Sequence, residues 1–308
     1  MTTLSGPLRA WVEAAAGSRV AGVRALTGGY SNDNAVLTFA GGAELVLRRY
    51  LRANACAVEA ALAARLAGVV PVPEVVAADP TGEAAGEPAM LSAFAPGRPA
   101  GEVLDGLRGP DAAELGGSIG AALAAVGTVT FAAPGFFGDG ALAPGPEGAE
   151  PAAGLDAWVA RCLEHGNAEG HLTGDERREL QRLADEATPQ LAVLHGARRL
   201  VHGDFNPKNL LAERRGGRWA VAAVLDWEFA FSSTPLFDVG NLLRDPRPAG
   251  FEAAFLAGFR AGGGELPPQW RRLAGALDLY SLADLLTRPA GHRYFARAIE
   301  RIRARMSS

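Results

Sequence analysis

The sequence predicts an α+β fold of two lobes, a small β-rich N-terminal lobe and a larger helical C-terminal one. Three observations carry this. Short β-type runs bounded by Gly and Pro fill the chain as far as residue 92. Helical patterns dominate beyond the Gly/Pro-rich "APGRPAG" at 95–101. Within that helical part lies one short β ribbon whose ends are polar, around "LVHGDFNPKNLL" at 200–211. The boundaries expected are 1–92 for the first lobe, 93–98 for a hinge and 99–308 for the second lobe.

In chain order, residues 7–16 read as a short helix. "AVLTF" (35–39) and "ELVLRRY" (44–50) flank "AGG" and read as a hairpin. The Ala- and Leu-rich stretch 53–67 has helical propensity. "VPVPEVVAA" and "EPAMLSAFAPG" read as two more strands. Helices are then expected over 110–126, 155–168 and 174–194. The last opens on "TGDE", where Thr173 can cap and Glu176 can reach back. Residues 131–152 are rich in Gly and Pro and read as a long loop. "RLVHG", "NLLAE" and "RWAVAAVLDW" read as strands, the last two joined by "RRGG". Residues 236–306 read as helical.

Composition bounds the function. The 308 residues are 48% hydrophobic and 21% charged, with mean hydropathy +0.06, an ordinary globular balance. Net charge is −4 and the pI is near 5.8, which argues against nucleic acid as a partner. Cys56 and Cys162 read as two unrelated buried thiols. The N-terminal stretch lacks a basic head followed by an apolar run, and no apolar stretch has the length of a membrane span. The expected setting is the reducing cytoplasm, away from a membrane.

The polar residues of 202–209 stand between apolar runs, where a rigid scaffold can aim them. If the hairpin 209–226 closes through "RRGG", Asn209 and Asp226 meet at the same end of paired strands. An amide oxygen beside a carboxylate there makes a hard-oxygen site suited to Mg²⁺. Asp204 can accept a proton from a hydroxyl. Base, metal ligands and positioning groups are together the parts of phosphoryl transfer from a nucleotide.

"VHGDFNPKN" followed by "AVLDWEFAFSSTPLFDVGNLL" resembles the aminoglycoside phosphotransferase and choline-kinase-like branch of the protein-kinase fold. There the catalytic loop reads H-G-D-x-x-x-x-N, and a D-W-E or similar triplet replaces D-F-G. The resemblance covers nearly the whole chain. It implies a bilobal protein-kinase-like fold, Asp204 as catalytic base, and Asn209 and Asp226 as ligands of Mg²⁺. It implies that His202 supports the catalytic loop and that Asp238 ties that loop to the following helix. In the small lobe it points to Gly28, Gly29, Ser31 and Asn32 as a turn over the nucleotide phosphates, although the stretch lacks G-x-G-x-x-G and serves equally as a plain β-turn. Arg48 stands where protein kinases carry Lys, with Glu59 as its helix partner, and whether Arg48 or Arg49 faces the nucleotide stays open. Ser92, Ala93 and Phe94 are placed where backbone groups meet adenine.

Two departures qualify the resemblance. Asn206 stands where protein kinases carry a Lys, and Lys208 lies just before Asn209 instead. No activation segment separates the D-W-E triplet from the Asp238 helix, which implies a small-molecule acceptor. The resemblance therefore implies a kinase that uses ATP or GTP to phosphorylate a hydroxyl of a cationic antibiotic, conferring resistance. The antibiotic would be a basic cyclic peptide of the capreomycin and viomycin type or an aminoglycoside. Glu228, Asp278 and Asp284 are candidate contacts to such a cation, and Asp139 and Glu164 are further ones. The alternatives are a metabolic kinase acting on choline, homoserine or a sugar amine, and a nucleotide-binding pseudokinase. Late-chain Trp270, Tyr280 and Tyr294 do not amount to an evident choline cage. All three of Asp204, Asn209 and Asp226 are present, which disfavours the pseudokinase.

Overall fold

A computed structural model of the chain describes residues 3–26, 33–145 and 150–307. The first element is helix α1 (Gly6–Ala16). The Ser5 side chain accepts from the Leu8 N–H at its start, and Gly17 closes its end in the left-handed region. Strands β1 (Val20–Ala25), β2 (Asp33–Phe39) and β3 (Glu44–Arg49) follow, then helix α2 (Cys56–Leu66), then β4 (Val75–Asp79) and β5 (Ala89–Ala93). The five strands form one antiparallel sheet in the order β1-β2-β3-β5-β4. Leu4, Leu8 and Val12 pack on Leu37, Phe39, Leu47 and Leu91 to form the core of this sheet.

Helix α2 belongs to two neighbourhoods. The Cys56 thiol donates to the Ala89 carbonyl of the sheet, whereas Val58, Leu62 and Leu66 join the larger hydrophobic core built by the rest of the chain. The segment after α2 is tied the same way, because the Val224 N–H donates to the Pro71 carbonyl at 2.8 Å.

Beyond the sheet come β6 (Arg98–Pro99), α3 (Ala100–Gly106), α4 (Gly109–Val126), β7 (Gly135–Phe136), α5 (Leu155–His165) and α6 (Gly174–Leu191). The capping box expected from Thr173 and Glu176 opens α6. Next are β8 (Arg199–Val201), β9 (Leu210–Arg215), β10 (Arg218–Val224), β11 (Phe231–Ser233), α7 (Leu236–Leu242), α8 (Phe251–Ala261), α9 (Trp270–Leu285) and α10 (Phe295–Met306). The sheet region at the N-terminus and the helical region behind it make the α+β class expected.

The differences from expectation are local. The helix expected over 155–168 stops at His165, because Gly166 approaches the backbone of Leu286 too closely for a further regular turn with a side chain. The helix expected to reach 194 ends at Leu191 and tightens into a 3₁₀ turn over 192–194, with Pro189 in its last turn. The loop 131–152 holds β7, which pairs with β11 and so joins β8 in a three-stranded sheet.

The tightest packing in the large lobe is the crossing of α4 and α8. A Cβ on Gly120 would lie 2.0 Å from the Phe255 carbonyl oxygen, and one on Gly116 would lie 2.5 Å from that of Phe251. The two backbones therefore touch, and only hydrogen fits between them. Gly120→Ala should lower the urea unfolding free energy by about 1–3 kcal/mol through overpacking. A change within about 0.5 kcal/mol, the ordinary range for a surface site, would show that the crossing is not close-packed there.

Candidate active site

The β ribbon places the polar residues. The chain leaves β8 at Val201 and enters a loop whose backbone is held by a fully buried carboxylate. Asp238, on α7, accepts from the His202 N–H at 2.8 Å and from the Gly203 N–H at 3.0 Å. Burial pushes the Asp238 carboxyl up to about 7 against the pull of those N–H donors. His202 is also fully buried. Its Nδ1 accepts from the Asp204 N–H and its Nε2 meets the Leu225 carbonyl at 2.8 Å, so the ring bridges the loop to the end of β10 as a neutral imidazole. Burial holds its pKa below the usual value. Gly203 has φ of 81°, and a Cβ there would sit 2.3 Å from the Phe229 carbonyl oxygen, so the turn requires glycine.

This turn presents Asp204 with its carboxylate fixed by three donors. Asn206 Nδ2 donates to Oδ1 at 2.6 Å, Asn209 Nδ2 donates to Oδ2 at 2.9 Å, and Lys208 Nζ lies 2.9 Å from Oδ2. Asn209 has spent its amide nitrogen on Asp204, which leaves Oδ1 as its acceptor edge. The Leu225 N–H donates to the Asn209 carbonyl at 2.8 Å, so Asn209 and the residues leading into Asp226 lie side by side. Asp226 adopts φ of 68°, an uncommon conformation for a non-glycine residue, directly after β10.

Asp226 faces the small lobe. Arg48 Nη2, from β3, lies 2.7 Å from Asp226 Oδ1, 3.1 Å from Glu228 Oε2 and 3.1 Å from Glu59 Oε1. The contact to Glu59 is an ion pair without hydrogen-bond alignment, since Oε1 of Glu59 and Nε of Arg48 are both buried with no hydrogen-bond partner among the described residues. The other Glu59 oxygen accepts a short hydrogen bond from the Tyr50 hydroxyl. Burial pushes the Glu59 carboxyl up to about 7, with Arg48 opposing that shift. Burial works against the charge of Arg48, but Glu59 and Asp226 outweigh it and keep the guanidinium firmly charged. Three carboxylates within 4.8 Å of one another thus surround one cation. The cluster offers hard oxygen donors, and Glu59 Oε1 has no hydrogen-bond partner among the described residues. This donor set fits Mg²⁺.

The two arginines left open by the sequence point to different partners. Arg49 turns the other way, onto Glu87 and Asp33, and Arg48 alone reaches the acidic cluster. The Gly28, Gly29, Ser31 and Asn32 turn lies outside the described residues. In the hinge, Ala93 has committed its N–H to the Glu74 carbonyl at 2.8 Å and cannot offer it to adenine. Ser92 lies opposite Val46 of β3, and the Phe94 side chain is exposed.

The acidic residues expected to meet a cationic acceptor are placed otherwise. Glu228 belongs to the cluster around Arg48. Asp278 has a side chain with no solvent exposure, clamped by Arg244 at 2.6 Å, with Arg305 at 3.5 Å. It is a structural ion pair joining α7's end, α9 and α10, and no acceptor can reach it. Asp284 pairs with Arg288 one turn along, at 3.1 Å. Asp139 caps its own turn by accepting from the Ala141 N–H, and Glu164 is an exposed residue 3.8 Å from His165. Tyr50 was missed from the sequence, although it stands two residues after Arg48 and so shares its face of the strand. The late-chain aromatics do not line one cage: Tyr280 bonds the Ala153 carbonyl, Trp270 lies under Arg271, and Tyr294 lies against Lys208.

The phosphotransferase enzyme family matches residues 22–276, and the chain belongs to that family. It is a phosphotransferase. Solved structures share its fold over nearly its full length. One is the macrolide 2'-phosphotransferase MphH from Brachybacterium faecium, 20% identical, covering 94% of this chain and 96% of that one at a TM-score of 0.62. Another is a thermostable mutant of aminoglycoside phosphotransferase APH(4)-Ia in ternary complex with AMP-PNP and hygromycin B, 20% identical over 97% and 98% at 0.66. A third, provisionally described as a fructosamine-3-kinase from Thermobifida fusca, is 19% identical over 100% of each chain at 0.63. Comparison with curated protein sequences finds no match. No helix among the described residues is long and apolar enough to cross a membrane.

The raised carboxyls set a pH dependence. Glu59 and Asp238 hold protons in the folded state up to about 7, whereas the unfolded chain releases them near the ordinary 4.5 and 3.8 of free carboxyls. Between those limits the folded state binds more protons, so stability from these two groups falls as pH rises. Melting temperature measured without Mg²⁺ should therefore decline from about pH 4.5 to about pH 7. Glu59→Gln should make that decline shallower, and an unchanged slope in the variant would remove Glu59 as one of its sources.

Proposed function

We propose that this chain transfers the γ-phosphoryl group of a magnesium-bound nucleotide, ATP or GTP, to a hydroxyl of a small molecule. The observation that carries the reading is the fixed Asp204 carboxylate, held by Asn206, Lys208 and Asn209 beside the Asp226 cluster. A base aimed by three donors is oriented before the acceptor arrives, which is what proton transfer from a hydroxyl needs. Asn209 and Asp226 are the residues proposed to hold Mg²⁺, with Glu228 beside them. When bound, the ion supplies positive charge to offset the nucleotide phosphates. Arg48 holds Asp226 and Glu228 in place and offers further positive charge to the same phosphates. Asp204 accepts the hydroxyl proton, Lys208 offsets the negative charge gathering beside it, and His202 and Asp238 hold the loop. The AMP-PNP complex of the APH(4)-Ia neighbour supports an adenine nucleotide as donor.

An antibiotic acceptor, and with it a role in resistance, is supported by the names of the macrolide and aminoglycoside phosphotransferase neighbours. A basic cyclic peptide of the capreomycin and viomycin type, or an aminoglycoside, would further need exposed carboxylates near Asp204. Of the carboxylates expected there, Glu228 and Asp278 are engaged internally, and Asp284 is paired with Arg288. A metabolic acceptor of the homoserine or sugar-amine type is the second reading, supported by the fructosamine-3-kinase description of one neighbour. The presence of Asp204, Asn209 and Asp226 in one connected site favours catalysis over a pseudokinase.

Asp204→Asn should reduce acceptor-dependent ADP release by roughly 10²–10⁴-fold, the range for removal of a general base, while leaving nucleotide affinity largely intact. Asp226→Ala should weaken Mg²⁺-nucleotide binding itself. Wild-type turnover in Asp204→Asn would show that another group takes the proton.

A further inference from the structure

One nitrogen of Arg48 serves three carboxylates. Its Nη2 lies 2.7 Å from Asp226 Oδ1, 3.1 Å from Glu228 Oε2 and 3.1 Å from Glu59 Oε1. The hydrogen bonds to Asp226 and Glu228 both start from that atom. A guanidinium ordinarily meets a carboxylate through a fork of two parallel N–H donors. Here Arg48 Nε is buried with no hydrogen-bond partner among the described residues, and so is Glu59 Oε1. These two unmatched atoms belong to residues that already form an ion pair. Turning the guanidinium toward Glu59 would match them, at the expense of its hold on Asp226.

Glu59 is prepared to receive it. The Tyr50 hydroxyl donates to Glu59 Oε2, which leaves Oε1 for the arginine. The Tyr50 ring centroid lies 5.4 Å from the guanidinium carbon, close enough to favour the charge there. Glu59, Asp226 and Glu228 offer carboxylate oxygens that lie within 4.8 Å of one another. Such a set favours one cation at a time, because a guanidinium and a divalent ion on shared oxygens stand close together as like charges.

We propose that Arg48 is an internal competitor of Mg²⁺ for Asp226 and Glu228, and that it yields to the ion by turning to Glu59 and to the nucleotide phosphates. This deepens the phosphotransferase reading and rests on it. The phosphates draw Arg48 off the carboxylates, so nucleotide and metal each promote the binding of the other. Mg²⁺ offered alone meets the arginine with only Glu59 to draw it away. The same side chain therefore opposes the bare ion and favours the ion bound to nucleotide.

The test is calorimetry on the full chain, with Mg²⁺ alone and, separately, with AMP-PNP in excess Mg²⁺. Arg48→Met should bind Mg²⁺ alone about tenfold more tightly than the wild type and Mg²⁺–AMP-PNP about tenfold more weakly. Opposite signs are the mark of competition, since a merely structural arginine would weaken both on removal. Arg49→Met is the control for general charge, because Arg49 pairs with Glu87 and Asp33 instead. It should leave the Mg²⁺ affinity unchanged. Circular dichroism checks folding. Unchanged or weaker binding of Mg²⁺ alone in folded Arg48→Met overturns the competition, and so does an equal gain in Arg49→Met. An Arg48→Met chain that does not fold is replaced by Arg48→Lys, whose ammonium keeps the charge without the fork. That variant should show a smaller gain for Mg²⁺ alone, and no gain overturns the proposal equally. Failure of the wild-type chain to bind Mg²⁺–AMP-PNP overturns the phosphotransferase reading instead. The comparison with Mg²⁺ alone is read without nucleotide, so the two failures are told apart.

Discussion

A single buried carboxylate fixes the loop that carries Asp204. Asp238 lies out of contact with solvent and accepts from two consecutive backbone N–H groups, those of His202 and Gly203. Burying a carboxylate is costly, and here the backbone donors offset much of that cost. The reverse dependence is equally strong. Without that carboxylate, two buried N–H groups would each lack a partner, at about 1–3 kcal/mol apiece. The loop and α7 are therefore one unit. His202 extends the unit to β10 through the Leu225 carbonyl, and Leu225 in turn donates to Asn209. Asp204 and Asn209 are placed by this chain of bonds as well as by their own contacts.

A second constraint joins this unit to the small lobe. Arg48 comes from β3, Glu59 from α2, and Asp226 and Glu228 from the segment after β10. The guanidinium is the one positive charge at the centre of the cluster. Its position depends on α2, whose apolar face belongs to the core of the large lobe while its first residue bonds the sheet. The geometry around Arg48 is thus set by packing on both sides. Tyr50 adds a neutral donor to Glu59, which lets a carboxylate sit among two other carboxylates without matching each with a cation. Arg48 Nε and Glu59 Oε1 have no hydrogen-bond partner among the described residues, so those residues do not saturate this cluster.

The legible part of the fold followed local physics. Strand alternation, the Gly-rich turns and the Thr173 capping box predicted β2, β3, β9, β10 and α6 to within a few residues. The ribbon through "RRGG" was enough to bring Asn209 next to the approach to Asp226. What the sequence left obscure depended on contacts across long separations. Asp278 and Asp284 read as equivalent acidic positions on one helix, yet Asp278 is sealed by Arg244, 34 positions away, and Asp284 meets its own i+4 neighbour. Glu228 read as an acceptor contact because its distance from Asp226 gave no sign of Arg48, which lies 180 positions earlier. The choice between Arg48 and Arg49 was likewise a matter of which face of β3 met the large lobe. Period-two alternation narrowed the question, and only tertiary packing answered it.

The two halves of the site differ in how strongly the fold constrains them. The half around Asp238, His202 and Arg48 is buried, and most of its polar groups are matched to a partner from another element. Exchanging one member there leaves a charge or a donor stranded in the interior, so its geometry resists change. The half around Lys208 is open to solvent on one side, where exchanging a side chain carries little stability cost.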